Sequence, residues 1–253
     1  MSDYNSQDLR ARAAEARGQA GVDIDQGLRT YMLGVYNYMA GALLITGIAA
    51  YALFSAAFVE TEQGLQVTAL GDSIFNSPLQ FVLMFAPLGF VMVLSFGINK
   101  LSASATQLLF WAFAAIMGLS LSSIFAVYQL GSITQVFLIT AIAFGGLSLY
   151  GYTTKRDLSA MGAFMVMGLI GLIVASVVNI FLQSSAMQFA ISVIGVLVFA
   201  GLTAWDTQKI KSMYNAAEDK ATRTKKSVMG ALTLYLDFIN MFMFLLRLFG
   251  DRR

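Results

Sequence analysis

Charge falls in islands along this chain, and the stretches between the islands are long and apolar. Between Arg29 and Glu60 lie 30 uncharged residues, and between Asp72 and Lys100 lie 27. Longer intervals follow, with 54 residues from Lys100 to Lys155 and 48 from Asp157 to Asp206. A membrane-spanning helix needs about 20 apolar residues. The first two intervals therefore hold one span each, and the last two each hold a hairpin of two. A seventh apolar run, residues 227–246, is interrupted only by Asp237. The predicted spans are Tyr31–Phe58, Leu79–Ile98, Gln107–Tyr128, Ile133–Tyr152, Met161–Leu182, Met187–Asp206 and Val228–Arg247. Short uncharged turns near Gln129–Ser132 and Gln183–Ser185 make tight hairpins of spans three–four and five–six. Pro78 sits where a helix begins, and Pro87 lies inside the second span, where it kinks the helix.

Composition agrees with this pattern. The 253 residues are 58% hydrophobic and 12% charged, with a mean hydropathy of +0.71, whereas soluble chains are about 25% charged. The reading is an all-α integral membrane protein with seven transmembrane helices. Residues 1–27 are a polar, mobile tail with a short helix around Asp8–Arg17, and residues 28–250 form the seven-helix domain. The first 26 residues lack the apolar core of a signal peptide. Glycine is frequent, with 22 residues, and Gly171 with Ala175 gives one small-xxx-small spacing suited to close helix packing.

Orientation follows from the basic residues, because basic flanks stay cytoplasmic. The tail and alternate loops carry 13 of the 16 Lys and Arg, and the opposite side carries only Arg247, Arg252 and Arg253. The N-terminus is read as cytoplasmic. The C-terminus is then external if the seventh run crosses, and its three arginines leave a re-entrant segment open.

Several chemistries drop out. Net charge is +2, without a basic stripe, which points away from nucleic acid. Cysteine and histidine are both absent, so there is no disulfide, thiolate metal site or histidine-dependent hydrolase mechanism. The chain is read as no enzyme, with no cofactor.

Within the apolar runs the one unambiguously deep acid is Asp237. An Asp at the centre of a span costs roughly 2.5–3.5 kcal/mol on insertion scales, which marks it as functional. Gly230, Thr233, Asp237, Asn240 and Arg247 form a polar stripe at helical spacing, so the seventh helix is expected to be surrounded by the others. A second acid, Asp206, closes the sixth run, with Thr203 one turn earlier on nearly the same face. The two acids are 31 residues apart, with the midpoint in the Glu218–Lys226 loop, so an antiparallel helix pair brings them to one level. The plain reading of Asp206 is an interfacial acid paired with Lys209 or Lys211. The plain reading of Asp237 is a protonated acid bonded for packing. Two acids at one level in a low-dielectric site share a proton more easily than both ionise. Such a pair is a pH switch, and when open it offers oxygen ligands suited to Ca²⁺.

Three functions could use it: a pH-gated cation pathway, intramembrane aspartyl proteolysis, or a bundle that serves as a protein partner. Proteolysis fits poorly, because Asp237 sits in Tyr235-Leu236-Asp237-Phe238 and no proline follows Pro87. A retinal protein is excluded, since the seventh span has no lysine for a Schiff base.

Three motifs make the chain recognisable. They are residues 30–41, Thr-Tyr-Met-Leu-Gly-Val-Tyr-Asn-Tyr-Met-Ala-Gly; residues 201–208, Gly-Leu-Thr-Ala-Trp-Asp-Thr-Gln; and residues 231–240, Ala-Leu-Thr-Leu-Tyr-Leu-Asp-Phe-Ile-Asn, continuing to Gly250. Over about residues 25–250 the chain resembles the Bax inhibitor family, in one of its bacterial branches. The resemblance implies six helices wrapped around a central C-terminal helix, in a bacterial inner membrane. It also implies that Asp206 and Asp237 sense pH and control a Ca²⁺ leak, with Thr203, Thr233 and Asn240 as candidates for lining the pathway. Some members latch this pair with a basic residue near the end of the second helix, where this chain has Asn99 and Lys100. One bacterial member restrains a membrane-bound ATP-dependent protease, which makes a protease partner the runner-up function.

The topology is testable directly. A reporter fused after Arg253 is expected to be active only outside the cytoplasm, and cytoplasmic activity would refute the seventh crossing.

Overall fold

The computed structural model describes residues 26–253, so the tail expected over residues 1–27, with its short helix, lies outside the described residues but for its last two positions. Among those described, seven helices are long and apolar enough to cross a membrane. The first, α1 (Gln26–Ala57), leads into a hairpin of β1 (Phe58–Thr61) and β2 (Gly64–Val67), and then a short α2 (Ala69–Phe75). There follow α3 (Leu79–Gly97), α4 (Ala103–Leu121), a single turn α5 (Ile124–Val127) and α6 (Leu130–Thr153). The chain ends with α7 (Ser159–Leu182), α8 (Ser185–Ser212) and α9 (Lys220–Phe249). The crossings are α1, α3, the α4–α5 unit, α6, α7, α8 and α9. The all-α seven-helix architecture is the one expected.

Differences lie at the edges. The acidic loop after the first span holds an antiparallel hairpin, Phe58 facing Val67 and Thr61 facing Gly64. Gly64 makes its turn possible with φ 105, a left-handed conformation that side chains disfavour. Phe58 anchors the hairpin by stacking on Phe54, with ring centroids 5.5 Å apart. At the other end of the chain, α8 and α9 run well beyond their apolar cores. The segment expected to be a loop, Glu218–Lys226, is mostly the first two turns of α9. Asp219 caps that helix by accepting from the Thr222 N–H at 3.1 Å. Its hydrogen bonding to Thr222 holds the Asp219 carboxyl below the usual carboxylate range.

Burial separates the helices into ranks. In α9, 72% of the most apolar stretch is buried inside the protein, against 6% in α7. The principal neighbours of α9 are α1, α4, α6 and α8, while α3 packs chiefly on α4 and α7 on α8. Of the six helices expected around the last one, four thus supply its main contacts and two stand in an outer rank. The outer helices present Phe85, Phe96, Phe164 and Phe181 outward, a surface that suits lipid and not water.

Glycines permit the closest approaches. A Cβ on Gly118 would collide with the Thr46 carbonyl of α1, and one on Gly151 with the Ala204 carbonyl of α8. Gly171, chosen from sequence spacing, is exposed and would meet nothing within 4 Å. The small-xxx-small spacing was right in kind but pointed to the outward face of α7.

The ends of the bundle differ chemically. At one end α3, α6 and α8 terminate, leaving carbonyls without helical partners. Lys225 donates to Ile98 and Leu101 carbonyls at 2.9 and 3.2 Å, beyond the last turn of α3. Lys211 donates to the Tyr152 carbonyl at 2.7 Å, and Lys226 to that of Met213 at 3.0 Å. Each ammonium thus sits at a helix C-terminus, where the helix dipole favours positive charge. At the opposite end the C-terminal residues pair with the α5–α6 turn: the Gln129 N–H donates to Asp251 and the Arg253 N–H to Val127, both at 3.0 Å. Arg253 also lies 3.5 Å from Glu60 of the hairpin. The seventh segment therefore passes from one end of the bundle to the other and is not re-entrant. Its 30 residues make it about 45 Å long at the usual helical rise.

Replacing Gly151 with Val is expected to force α6 from α8 and lower stability by about 1–3 kcal/mol or more. Gly171→Val should leave the unfolding midpoint of the detergent-purified protein unchanged, and equal effects of the two changes would contradict this packing.

Candidate functional site

The site is fixed by how α8 meets α9. Lys226 reaches Met213, Ile210 fills the notch at Gly230, and Phe199 stacks with Phe244 at 6.0 Å. These contacts define one antiparallel register, and in that register Asp206 faces Asp237. The two carboxyls lie close enough across the seam to act on each other. Carboxylate oxygens only accept, so a bond between two such groups exists only while one of them carries a proton. The level predicted from sequence holds although the intervening segment is helical, because α9 overhangs the end of α8 and the connection lies beyond both.

The partners differ in access. Asp237 is 5% exposed and its Oδ2 is buried without a hydrogen-bond partner among the described residues. Asp206 is 7% exposed and lies six residues from the end of α8, with Lys209 as its nearby cation. That ammonium sits 4.8 Å from the centre of the Trp205 ring. Asp206 thus stands between the basic end of the bundle and the deeper Asp237.

The other sequence candidates lie near the pair without bonding to it. Thr203 is fully buried and donates to the Phe199 carbonyl at 2.7 Å. Thr233 donates to Met229 at 3.1 Å and the Asn240 amide to Leu236 at 2.8 Å. All three bonds close on the residue's own helix. Thr233 and Asn240 lie on the half-buried stripe of α9, beside Asp237, that Met229 and Leu236 share. Asn99 and Lys100 are exposed, and neither bonds to the pair among the described residues. The C-terminal end of α3 is instead tied to α9 by Lys225.

Two buried polar links were missing from the sequence reading. Tyr36 of α1 bonds Ser148 of α6 at 2.6 Å, and Ser148 bonds Thr207 of α8 at 3.0 Å. Tyr36 and Ser148 line a cleft of about 750 Å³ between α1 and α6. The chain of hydroxyls therefore runs from that cleft to the residue next to Asp206. Deeper in the bundle, Thr46 of α1 bonds the Tyr235 hydroxyl at 2.7 Å and donates to the Ala114 carbonyl at 2.8 Å. This link fixes α9 against α1 and α4 two residues from Asp237. Thr207 adjoins an acid already singled out and was the one readable clue, whereas isolated hydroxyls such as Ser148 and Thr46 gain meaning only from their neighbours in space.

Seven crossings and an inner C-terminal helix that carries one of two facing buried acids define a polytopic helical membrane protein. Residues 28–253 match the family described as Inhibitor of apoptosis-promoting Bax1, and the chain belongs to this Bax inhibitor family. It is 50% identical over 230 residues to inner membrane protein YbhL of Escherichia coli, covering 90% of this chain and 94% of that one. It is 49% identical to protein RP147 of Rickettsia prowazekii, over 90% of this chain and 92% of the relative. A protein of Caulobacter vibrioides is 43% identical over the full length of both chains.

Contact between the carboxyls makes a quantitative demand. In a double-mutant cycle, Asp206→Ala and Asp237→Ala should be non-additive, with a coupling energy of about 0.5–3 kcal/mol. Unfolding of the purified variants measures it, and additive losses would show that the two side chains act separately.

Proposed function

We propose that this protein is a pH-sensitive cation leak pathway, with Ca²⁺ as the favoured ion, closed by the contact between Asp206 and Asp237. The observation that carries the reading is the pair itself: two buried acids on adjacent helices whose carboxyls face one another across the seam. A packing contact does not need the second carboxyl. With no histidine in the chain, these acids are the natural proton sensor inside the bundle.

The direction of the response follows from charge. With one shared proton, the bond holds α8 and α9 together. When that proton leaves at higher pH, two like charges remain at contact distance in a medium that screens poorly, and they repel strongly. The helices part near the basic end and the cation path opens. Lys209 offsets part of this repulsion from the Asp206 side. Among the described residues no group of three His, Cys, Asp or Glu could hold a metal ion. Ca²⁺ takes six to eight oxygens, so two carboxylates suit a passing ion better than a stored one. Placement in a bacterial inner membrane, with the basic end cytoplasmic, is supported by the Escherichia coli relative, named an inner membrane protein, and by the basic asymmetry.

Ca²⁺ flux in liposomes should rise as pH is raised from mildly acidic to mildly alkaline. Asp206→Asn with Asp237→Asn keeps hydrogen-bonding groups but removes the titration, so the profile should flatten. Asp237→Leu should insert yet lose regulated flux. A double Asn protein with the wild-type profile would place the switch elsewhere.

A further inference from the structure

Three lysines at the basic end close helix termini, and two other cations there face a cavity instead. The cavity has a volume of about 570 Å³ and lies between α1 and the overhanging first turns of α9. Gln26, Thr30, Tyr31, Lys220, Arg223 and Thr224 contribute most of its polar lining, which among the described residues includes two cations and no acid. Two polar atoms of this wall are buried without a partner among the described residues, the Tyr31 hydroxyl and Arg223 Nε. Tyr31 is 5% exposed, held with its ring 5.6 Å from that of Tyr214. A buried polar group left unbonded is costly, so two on one wall ask for a ligand.

The ligand must accept hydrogen bonds and carry negative charge. Arg223 offers a planar fork that suits phosphate oxygens, and Lys220 adds a second positive charge. The N-terminus of α9 favours an anion at this end of the helix, while the capping Asp219 is engaged with the Thr222 N–H. Glu218, whose charge reaches Tyr31, is paired with Lys226 at 2.5 Å, although its second oxygen is also unpartnered among the described residues. A site at the rim of the apolar bundle is also where lipid headgroups lie, and basic pockets between helices bind anionic headgroups. The second basic cleft, at Lys155, Arg156 and Lys209, differs: its Gln208 is bonded to Leu158 and Arg156, and its Asp157 to Ser159.

We infer that the cavity between α1 and the start of α9 is a phosphate-binding site, made by Arg223, Lys220 and the Tyr31 hydroxyl. A phosphate held there ties α1 to the overhang of α9, outside the carboxyl seam.

The full chain, purified in a maltoside detergent that carries no phosphate, allows a direct test. Short-chain phosphatidylglycerol is added in one arm and inorganic phosphate in the other, with chloride at equal ionic strength as control. The melting temperature should rise in at least one arm. A rise with phosphatidylglycerol alone assigns a lipid headgroup, and a rise with inorganic phosphate assigns the free ion. Arg223→Gln should weaken that binding by about tenfold or more, the size of one charge-assisted hydrogen bond. Tyr31→Phe should weaken it in the same direction, and the exposed Lys220→Gln serves if Arg223→Gln does not fold. Lys155→Gln, in the second cleft, should bind as wild type. No response in either arm, or equal losses in Lys155→Gln and Arg223→Gln, would overturn the assignment.

Discussion

The antiparallel register of α8 on α9 is the constraint on which the remaining architecture depends. It places one acid of each helix face to face, and it does so through ordinary packing: Ile210 in the notch at Gly230 and Phe199 on Phe244. A shift of one turn along this seam would leave Asp237 buried without its carboxyl partner. An isolated buried charge is far more costly than a paired one, so the seam is specified by polarity as well as by shape. The burial of α9 follows from the same demand. Its acid needs a protein partner, and the helices around it exclude lipid from that face.

The basic residues serve two purposes at once. Their asymmetry along the chain orients a membrane protein, and the structure uses several of them to satisfy carbonyls at the ends of α3, α6 and α8. Lys225 links α3 to α9, and Lys226 links the end of α8 to α9. The end of the bundle nearest Asp206 is thus held by side chains that reach across from α9, while the two acids face each other across α8 and α9 further in. Motion between α8 and α9 must work against both sets of contacts.

Much of this was legible because a bilayer imposes a simple code. Apolar runs of about 20 residues located every crossing, and Asp237 stood out because nothing else in its run was charged. The code fails where polarity no longer reports helix. Lys220 to Lys226 read as a loop, yet they continue α9, since Lys and Arg are good helix formers once outside lipid. The hairpin at Phe58–Val67 was hidden for the opposite reason, because strands of four residues are too short to show alternation. Gly171 shows that a spacing cannot reveal which face it serves. The link of Tyr36, Ser148 and Thr207 joins three helices far apart in sequence, and no local pattern encodes it.

The central claim is that a shared proton between Asp206 and Asp237 holds α8 to α9. The chain has no native cysteine, so spin labels at Ser212→Cys and Ala221→Cys report only the separation between the end of α8 and the start of α9. Measured by pulsed electron resonance in liposomes, that distance should lengthen as pH rises through the titration of the pair. With Asp206→Asn and Asp237→Asn together, it should stay constant over the same range. A wild-type distance that does not change with pH, or one that lengthens equally in the double Asn protein, would contradict the account.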